Sequence, residues 1–242
     1  MAIYLMRLIA CLLCLIPHTV WAGRPFFTDD AALTTAETCQ IETWFQQNAN
    51  HDRELWALPA CNPTGNFEFT VGFNQLQTHQ NNNLNNKVDS YFLLGKTLFR
   101  KLETNSWGVG LAFGIIRPRH GAAGADFIYL PYSLSFADDA LIVHVNLGWI
   151  KNRASNDNRV AGFNRTTWGL GTEYSLVNRV SVFAEAFGDD VVRPIIHTGF
   201  NISLIPNKLN LNITGGRDLA VDPDHNFYSI GLNVYGLPSV RF

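Results

Sequence analysis

The sequence predicts an all-β protein, a closed antiparallel transmembrane β-barrel of about 12 strands with both termini on the periplasmic side. Three observations carry that prediction. Long segments alternate apolar and polar side chains, their connections alternate between short and long, and charged residues stay off the apolar face.

The alternation is plainest from Asp126 to Lys151. Ile128, Leu130, Tyr132, Leu134 and Phe136 share one face, and Phe127, Tyr129, Pro131, Ser133 and Ser135 share the other. After a two-residue turn predicted at Asp138-Asp139, the apolar face resumes with Leu141, Val143, Val145, Leu147 and Trp149, while His144, Asn146 and Gly148 lie opposite. Period two is the signature of a strand. Both strands exceed the five or six residues usual in soluble sheets and reach the roughly 9–11 needed to cross a bilayer obliquely.

Composition agrees. Of 242 residues, 47% are hydrophobic and only 16% charged, which is low for a chain surrounded by water. Outside the N-terminus no apolar run reaches the roughly 18 residues of a membrane-spanning helix. A formal net charge of −2 without a basic block excludes a nucleic-acid partner.

Residues 1–22 read as an export signal: Arg7, an apolar stretch from Leu8 to Ile16, and Val20-Trp21-Ala22 as the small-residue cleavage site. The box Leu8-Ile9-Ala10-Cys11 resembles a lipoprotein signal, but almost no apolar region precedes it. Cleavage before Gly23 leaves Cys39 and Cys61, which lie symmetrically about Asn50. If the strands around them pair, the two thiols face each other at the open end of a hairpin. A disulfide is therefore expected in an oxidising compartment.

Residues 23–37 form the second region, with neither helical nor strand periodicity. Two readings stand for it: a solvated periplasmic tail, or a plug in the lumen in which Arg24 pairs with a carboxylate such as Glu68 or Glu185 and Asp29 and Asp30 supply acceptors. The barrel then occupies residues 38–242. Its strands are expected at Thr38–Gln47, Arg53–Cys61, Asn66–Gln77, Lys87–Phe99, Ser106–Ile116, Asp126–Phe136, Ala140–Lys151, Phe163–Leu176, Arg179–Phe187, Pro194–Leu204, Lys208–Gly215 and Asn226–Gly236.

Connections after even-numbered strands are short. Those after odd-numbered strands are mostly longer and polar, as in Thr78–Asn86, Arg117–Ala125, Asn152–Gly162 and Gly216–His225. This is the asymmetry of outer-membrane barrels, whose short turns are periplasmic. Phe67, Phe69, Val71 and Phe73 are predicted to face lipid, with Glu68, Thr70, Gly72 and Asn74 inside. Trp107, Trp149 and Trp168 lie toward strand ends on the apolar face, where an aromatic girdle belongs. The terminal Phe242, behind an alternating strand, resembles the signal read by the barrel-assembly machinery.

The motif Arg24-Pro25-Phe26-Phe27-Thr28-Asp29-Asp30-Ala31, followed by Gln40-Ile41-Glu42, Trp56-Ala57-Leu58-Pro59 and Asn62-Pro63, resembles the outer-membrane transporter family named after the MetA pathway of phenol degradation. The resemblance is clearest at the N-terminal motif. It implies an outer-membrane barrel that moves small, often hydrophobic compounds.

Candidate lumen and selectivity residues are Glu42, Glu68, Lys96, His144, Asn146, Glu173, Glu185 and His197, with Asn201, Asn210, Asn212 and Asn233 beside them. Such groups can select a solute or satisfy one another inside a narrow barrel. No phosphate loop, zinc-protease motif or nucleophile elbow is present. Only His144 with Ser133 or Ser135 suggests catalysis, and these face the lumen rather than lipid. His51, His79, His120 and His225 are expected in outer loops as solvated side chains, so neither a metal nor a cofactor is expected. The partners expected are the outer-membrane bilayer, a small solute and the assembly machinery. Three functions follow in order: a passive channel narrowed by the N-terminal segment, a lipid-modifying enzyme, and a structural barrel with a filled lumen.

Overall fold

The computed structural model describes residues 27–80, 83–119, 124–153, 162–219 and 226–239. The signal segment, Arg24, His120, His225 and Phe242 lie outside these residues. Twelve strands follow in order: β1 (Thr38–Asn48), β2 (Arg53–Asn62), β3 (Phe67–Gln80), β4 (Asn83–Arg100), β5 (Trp107–Pro118), β6 (Ala125–Phe136), β7 (Leu141–Asn152), β8 (Phe163–Val177), β9 (Val180–Asp189), β10 (Ile195–Ile205), β11 (Leu209–Asp218) and β12 (Asn226–Pro238). Each pairs antiparallel with its sequence neighbours, and β1 pairs with β12 to close the barrel. Closure gives every strand a partner on both sides, the condition for a sheet to cross hydrocarbon.

The pleat sorts side chains as the alternation predicts. On the outer face Leu93 is 52% exposed, Leu147 60% and Leu170 53%. Inward-facing Glu68, Lys96, His144 and Glu185 are each 5% exposed or less. An apolar exterior around a polar interior is the inverse of a soluble core and requires lipid outside. The protein is thus a transmembrane barrel of the Gram-negative outer membrane.

Two connections differ from expectation. The turn after β6 spans residues 137–140 rather than two residues, because Phe136 pairs with Leu141. Ala137, Asp138 and Asp139 all take positive φ, a region that Asp tolerates better than most residues. Asn105 holds the turn from the neighbouring connection, donating to Asp138 and accepting its N–H. The Asn-rich stretch expected as loop Thr78–Asn86 is instead largely ladder, with Thr78 opposite Asn86 and Gln80 opposite Asn83. The ladder is made by backbone groups and continues where side chains on both faces are polar, so alternation gives no sign of it. His79 accordingly lies in β3.

Cys39 and Cys61 are direct cross-strand partners at the open end of the first hairpin and form a disulfide. They share the outer face with Ile41, beside the short turn after β2.

Candidate functional site

Residues 27–34 lie against inward-facing side chains of the barrel, and residues 35–37 are exposed where the segment joins β1. They carry no strand periodicity, so their backbone groups find partners among lumen side chains. Glu185, on β9, accepts the N–H of Phe27 through Oε1 at 2.8 Å and of Thr28 through Oε2 at 2.7 Å. Asn146, on β7, pairs with both the N–H and the carbonyl of Asp29. Ser133 Oγ, on β6, accepts the N–H of Ala31 at 2.9 Å, and Glu68 Oε2, on β3, accepts that of Thr34 at 2.6 Å. Asn62 Nδ2 donates to the carbonyl of Thr34 at 2.7 Å. The attachment therefore involves β2, β3, β6, β7 and β9.

Charge adds to it. Lys96 Nζ lies 3.0 Å from Asp29 Oδ1 and 3.3 Å from Asp30 Oδ1. Tyr129 donates to the other oxygen of Asp29 at 2.7 Å. Asp30 sits outside the strands, and burial pushes its carboxyl up to about 7 against the opposing pull of Lys96. Phe27 stacks on Phe187 at 4.7 Å and meets the edge of His197 at 5.4 Å. The wall makes room as well: a Cβ on Gly169 would stand 2.7 Å from Thr28 Oγ1.

The predicted lumen residues thus divide by what they touch. Glu68, Lys96, Asn146 and Glu185 contact the inner segment directly. His197 donates from Nδ1 to Glu185 when it carries a proton there, at 2.7 Å, and His144 Nδ1 lies 2.8 Å from Ser133 Oγ. Glu42 lines a cavity beside Glu68 and Lys96. Glu173 stands apart and accepts from Ser181 within a packed sector, where Asn201 lies opposite Asn212 and Asn210 opposite Asn233. Glu68 and Glu185, expected to attract Arg24, are engaged by backbone N–H groups, and Arg24 lies outside the described residues.

Ser133 and His144 are both 0% exposed. Ser133 Oγ accepts from Ala31 and shares a second hydrogen bond with His144 Nδ1, so the pair serves to hold the segment. Among the described residues no cluster of three or more His, Cys, Asp or Glu is placed to hold a metal.

Two cavities of about 690 Å³ adjoin the segment, and Phe27 and Thr28 line both. The one toward the short turns is the more polar of the two, with Gln40, Glu42, Glu68 and Lys96 in its wall beside Leu58 and Leu94. The one toward the long loops has Trp56, Phe92, Phe127, Ile150 and Phe187 in its wall. Alternation places Phe127 on this face, whereas Trp56, Phe92 and Phe187 are not among the residues expected inside. Trp44, Trp56 and Phe92 form an aromatic run across it, with ring centroids 4.9 Å and 5.1 Å apart. Their placement at inward parity was the available signal.

Barrel, lipid-facing exterior and occupied interior define an outer-membrane β-barrel protein. The chain belongs to the family described as Uncharacterised conserved protein UCP029691, whose profile matches residues 10–235. That family does not carry the MetA-pathway name, and what the resemblance shares with the structural comparisons is the outer-membrane channel class. No curated protein matches the sequence. Among solved structures, the barrel is similar to a KdgM porin in complex with disordered oligogalacturonate (TM-score 0.59, 10% identity, 81% of this chain and 99% of that one). It is similar to the NanC porin (0.59, 10%, 82% and 100%). It is also similar to the COG4313 outer membrane channel from Pseudomonas putida F1 (0.59, 11%, 89% and 100%). At such identities the likeness is one of fold.

Proposed function

We propose that the protein is a passive outer-membrane channel for small, partly apolar solutes, narrowed at mid-lumen by residues 27–37. The observation that carries this reading is the position of Phe27 and Thr28 between two cavities of about 690 Å³ each. A solute entering from the long-loop side meets aromatic and aliphatic walls and then the segment. Beyond it the path gains charged and polar groups, Glu42, Glu68 and Lys96 among them. Twelve strands leave more interior than an eight-stranded barrel, which side chains fill, and less than a sixteen-stranded porin.

Around the segment acidic side chains outnumber Lys96, with Asp29, Asp30, Glu42, Glu68 and Glu185 on or near the route, while Arg165 and Arg193 are matched by Asp189 and Asp218 in the long-loop cavity. A sugar acid of the kind bound by the KdgM porin therefore meets repulsion here, whereas a neutral, partly apolar molecule does not. The test is conductance in planar bilayers of the full chain and of a deletion lacking residues 27–37. The deletion should insert as a heat-modifiable barrel and conduct more. Equal conductance would remove the segment from the route, and absence of conductance from both would leave a structural barrel.

A further inference from the structure

We infer that one sector of the outer rim, at the long-loop ends of β4 to β7, binds the phosphate groups of outer-leaflet glycolipid, lipopolysaccharide in chemical terms. The inference is independent of the channel reading. It begins with parity. On β5 the outward series Phe113, Ile115 continues to Arg117, and the next outward position is Arg119. On β7 the series Leu147, Trp149 continues to Lys151, with Arg153 next. On β6 Asp126 follows Ile128 outward, and on β4 Asp89 follows Tyr91. Arg117, Lys151, Asp126 and Asp89 each stand two residues, about 7 Å, beyond the last lipid-facing apolar side chain, and Arg119 and Arg153 stand two residues further out. That is where hydrocarbon gives way to headgroups.

Among the described side chains the sector carries four cations (Arg117, Arg119, Lys151, Arg153) against two acids (Asp89, Asp126), leaving +2. Its cations are organised rather than scattered. Asp126 Oδ1 lies 2.7 Å from Arg117 Nη2, and Asp126 Oδ2 lies 2.7 Å from Arg153 Nη2. Arg117 Nη1 also donates to the carbonyls of Ile116 and Ala125 at 2.8 Å and 3.0 Å. One carboxylate thereby holds two guanidinium groups side by side, yet their side chains stay 39% and 54% exposed. Arg119, 59% exposed, reaches Asp89 Oδ2 at 3.8 Å. Guanidinium N–H groups left outside these pairs match phosphate oxygens, and fixing them beforehand reduces what ordering costs on binding. Among the described residues, Arg53 and Arg217 are the outward cations at the long-loop ends of the other strands, and they stand singly on β2 and β11.

The occupant is a phosphate carrying acyl chains, because Ile115 and Trp149 lie directly beneath Arg117 and Lys151, Ile128 lies between them beneath Asp126, and the three are 37%, 40% and 43% exposed. An inorganic phosphate would use the charges and leave that apolar surface uncovered.

The full chain, purified in mild detergent, is titrated with lipopolysaccharide, with its dephosphorylated form and with inorganic phosphate, and occupancy is read by native mass spectrometry. Lipopolysaccharide should bind at least tenfold more tightly than the dephosphorylated form. Inorganic phosphate at equal concentration should not displace it. Arg119→Gln with Lys151→Gln leaves the Asp126 clamp intact and should weaken binding roughly thirtyfold, since each basic residue at an anionic membrane contributes about 1 kcal/mol. Arg53→Gln with Arg217→Gln should leave binding unchanged. Equal retention of the dephosphorylated lipid, full affinity in the Arg119/Lys151 variant, or complete displacement by inorganic phosphate would each overturn the assignment.

Discussion

Asn146 holds the peptide of Asp29 in both directions: its Oδ1 accepts the N–H at 2.6 Å and its Nδ2 donates to the carbonyl at 2.8 Å. A side-chain amide thereby plays the part of a neighbouring strand for a segment that has none. Asn146→Leu keeps the bulk and removes both partners, leaving two polar groups unsatisfied at about 1–3 kcal/mol each. Single-channel records of this variant should visit a higher conductance level at least tenfold more often than wild type. Indistinguishable records would show that Asn146 does not hold the segment in place.

Gly169 and Thr28 form a second contact with a clean test. A Cβ at position 169 would lie 2.7 Å from Thr28 Oγ1 and 3.2 Å from its Cγ2. Gly169→Ala should loosen the segment and raise conductance, and adding Thr28→Ala, which deletes both atoms, should largely reverse the effect. The double-mutant cycle isolates the pair. Additive effects would mean that the glycine serves the strand instead.

Proton uptake should favour the docked segment. The Asp30 carboxyl is pushed up to about 7 when docked, mainly by burial, with Lys96 opposing and Asp29 adding to it. Undocked, it returns to its ordinary value of 3.8. The docked state therefore binds the proton more tightly, so docking strengthens as pH falls through about 7 and gains nothing more below about 4. Conductance should rise on the alkaline side of that window. Asp30→Asn should remove the pH response, and a response that survives the substitution would assign it to another group.

The Cys39–Cys61 bond closes a sequence separation of 22 at the hairpin that carries the closing strand β1. A loop of that size contributes about 3 kcal/mol by restricting the unfolded chain. Cys39→Ser with Cys61→Ser should still give a folded barrel on unheated gels and lower the temperature at which the heated form appears. Mass spectrometry before and after reduction should find both thiols bonded in the wild type.

Much of the barrel was legible because its cause is local. A strand between lipid and a polar lumen must alternate residue by residue, so Phe67 to Asn74 show their faces without any tertiary knowledge. Strand count and the sidedness of the connections come from the same pattern and from turn residues. Cys39 and Cys61 were readable because a hairpin fixes its own register. Alternation becomes silent where both faces are polar, which is why the ladder from Thr78 to Asn86 looked like a loop.

Parity also says which residues point inward, but not what they meet there. Glu68, Glu173 and Glu185 are alike in sequence context, yet Glu173 packs against Ser181 while the other two receive backbone N–H groups of the inner segment. The partners of Thr28 and Asp29 lie 157 and 117 residues away, and a segment without periodicity carries no record of where its hydrogen bonds end. The sequence by itself determined a membrane-sized barrel, its polarity and its disulfide, because each follows from short-range patterning against two solvents. Only the closed tertiary structure decided which lumen groups surround residues 27–37, since that depends on strands brought face to face across the interior.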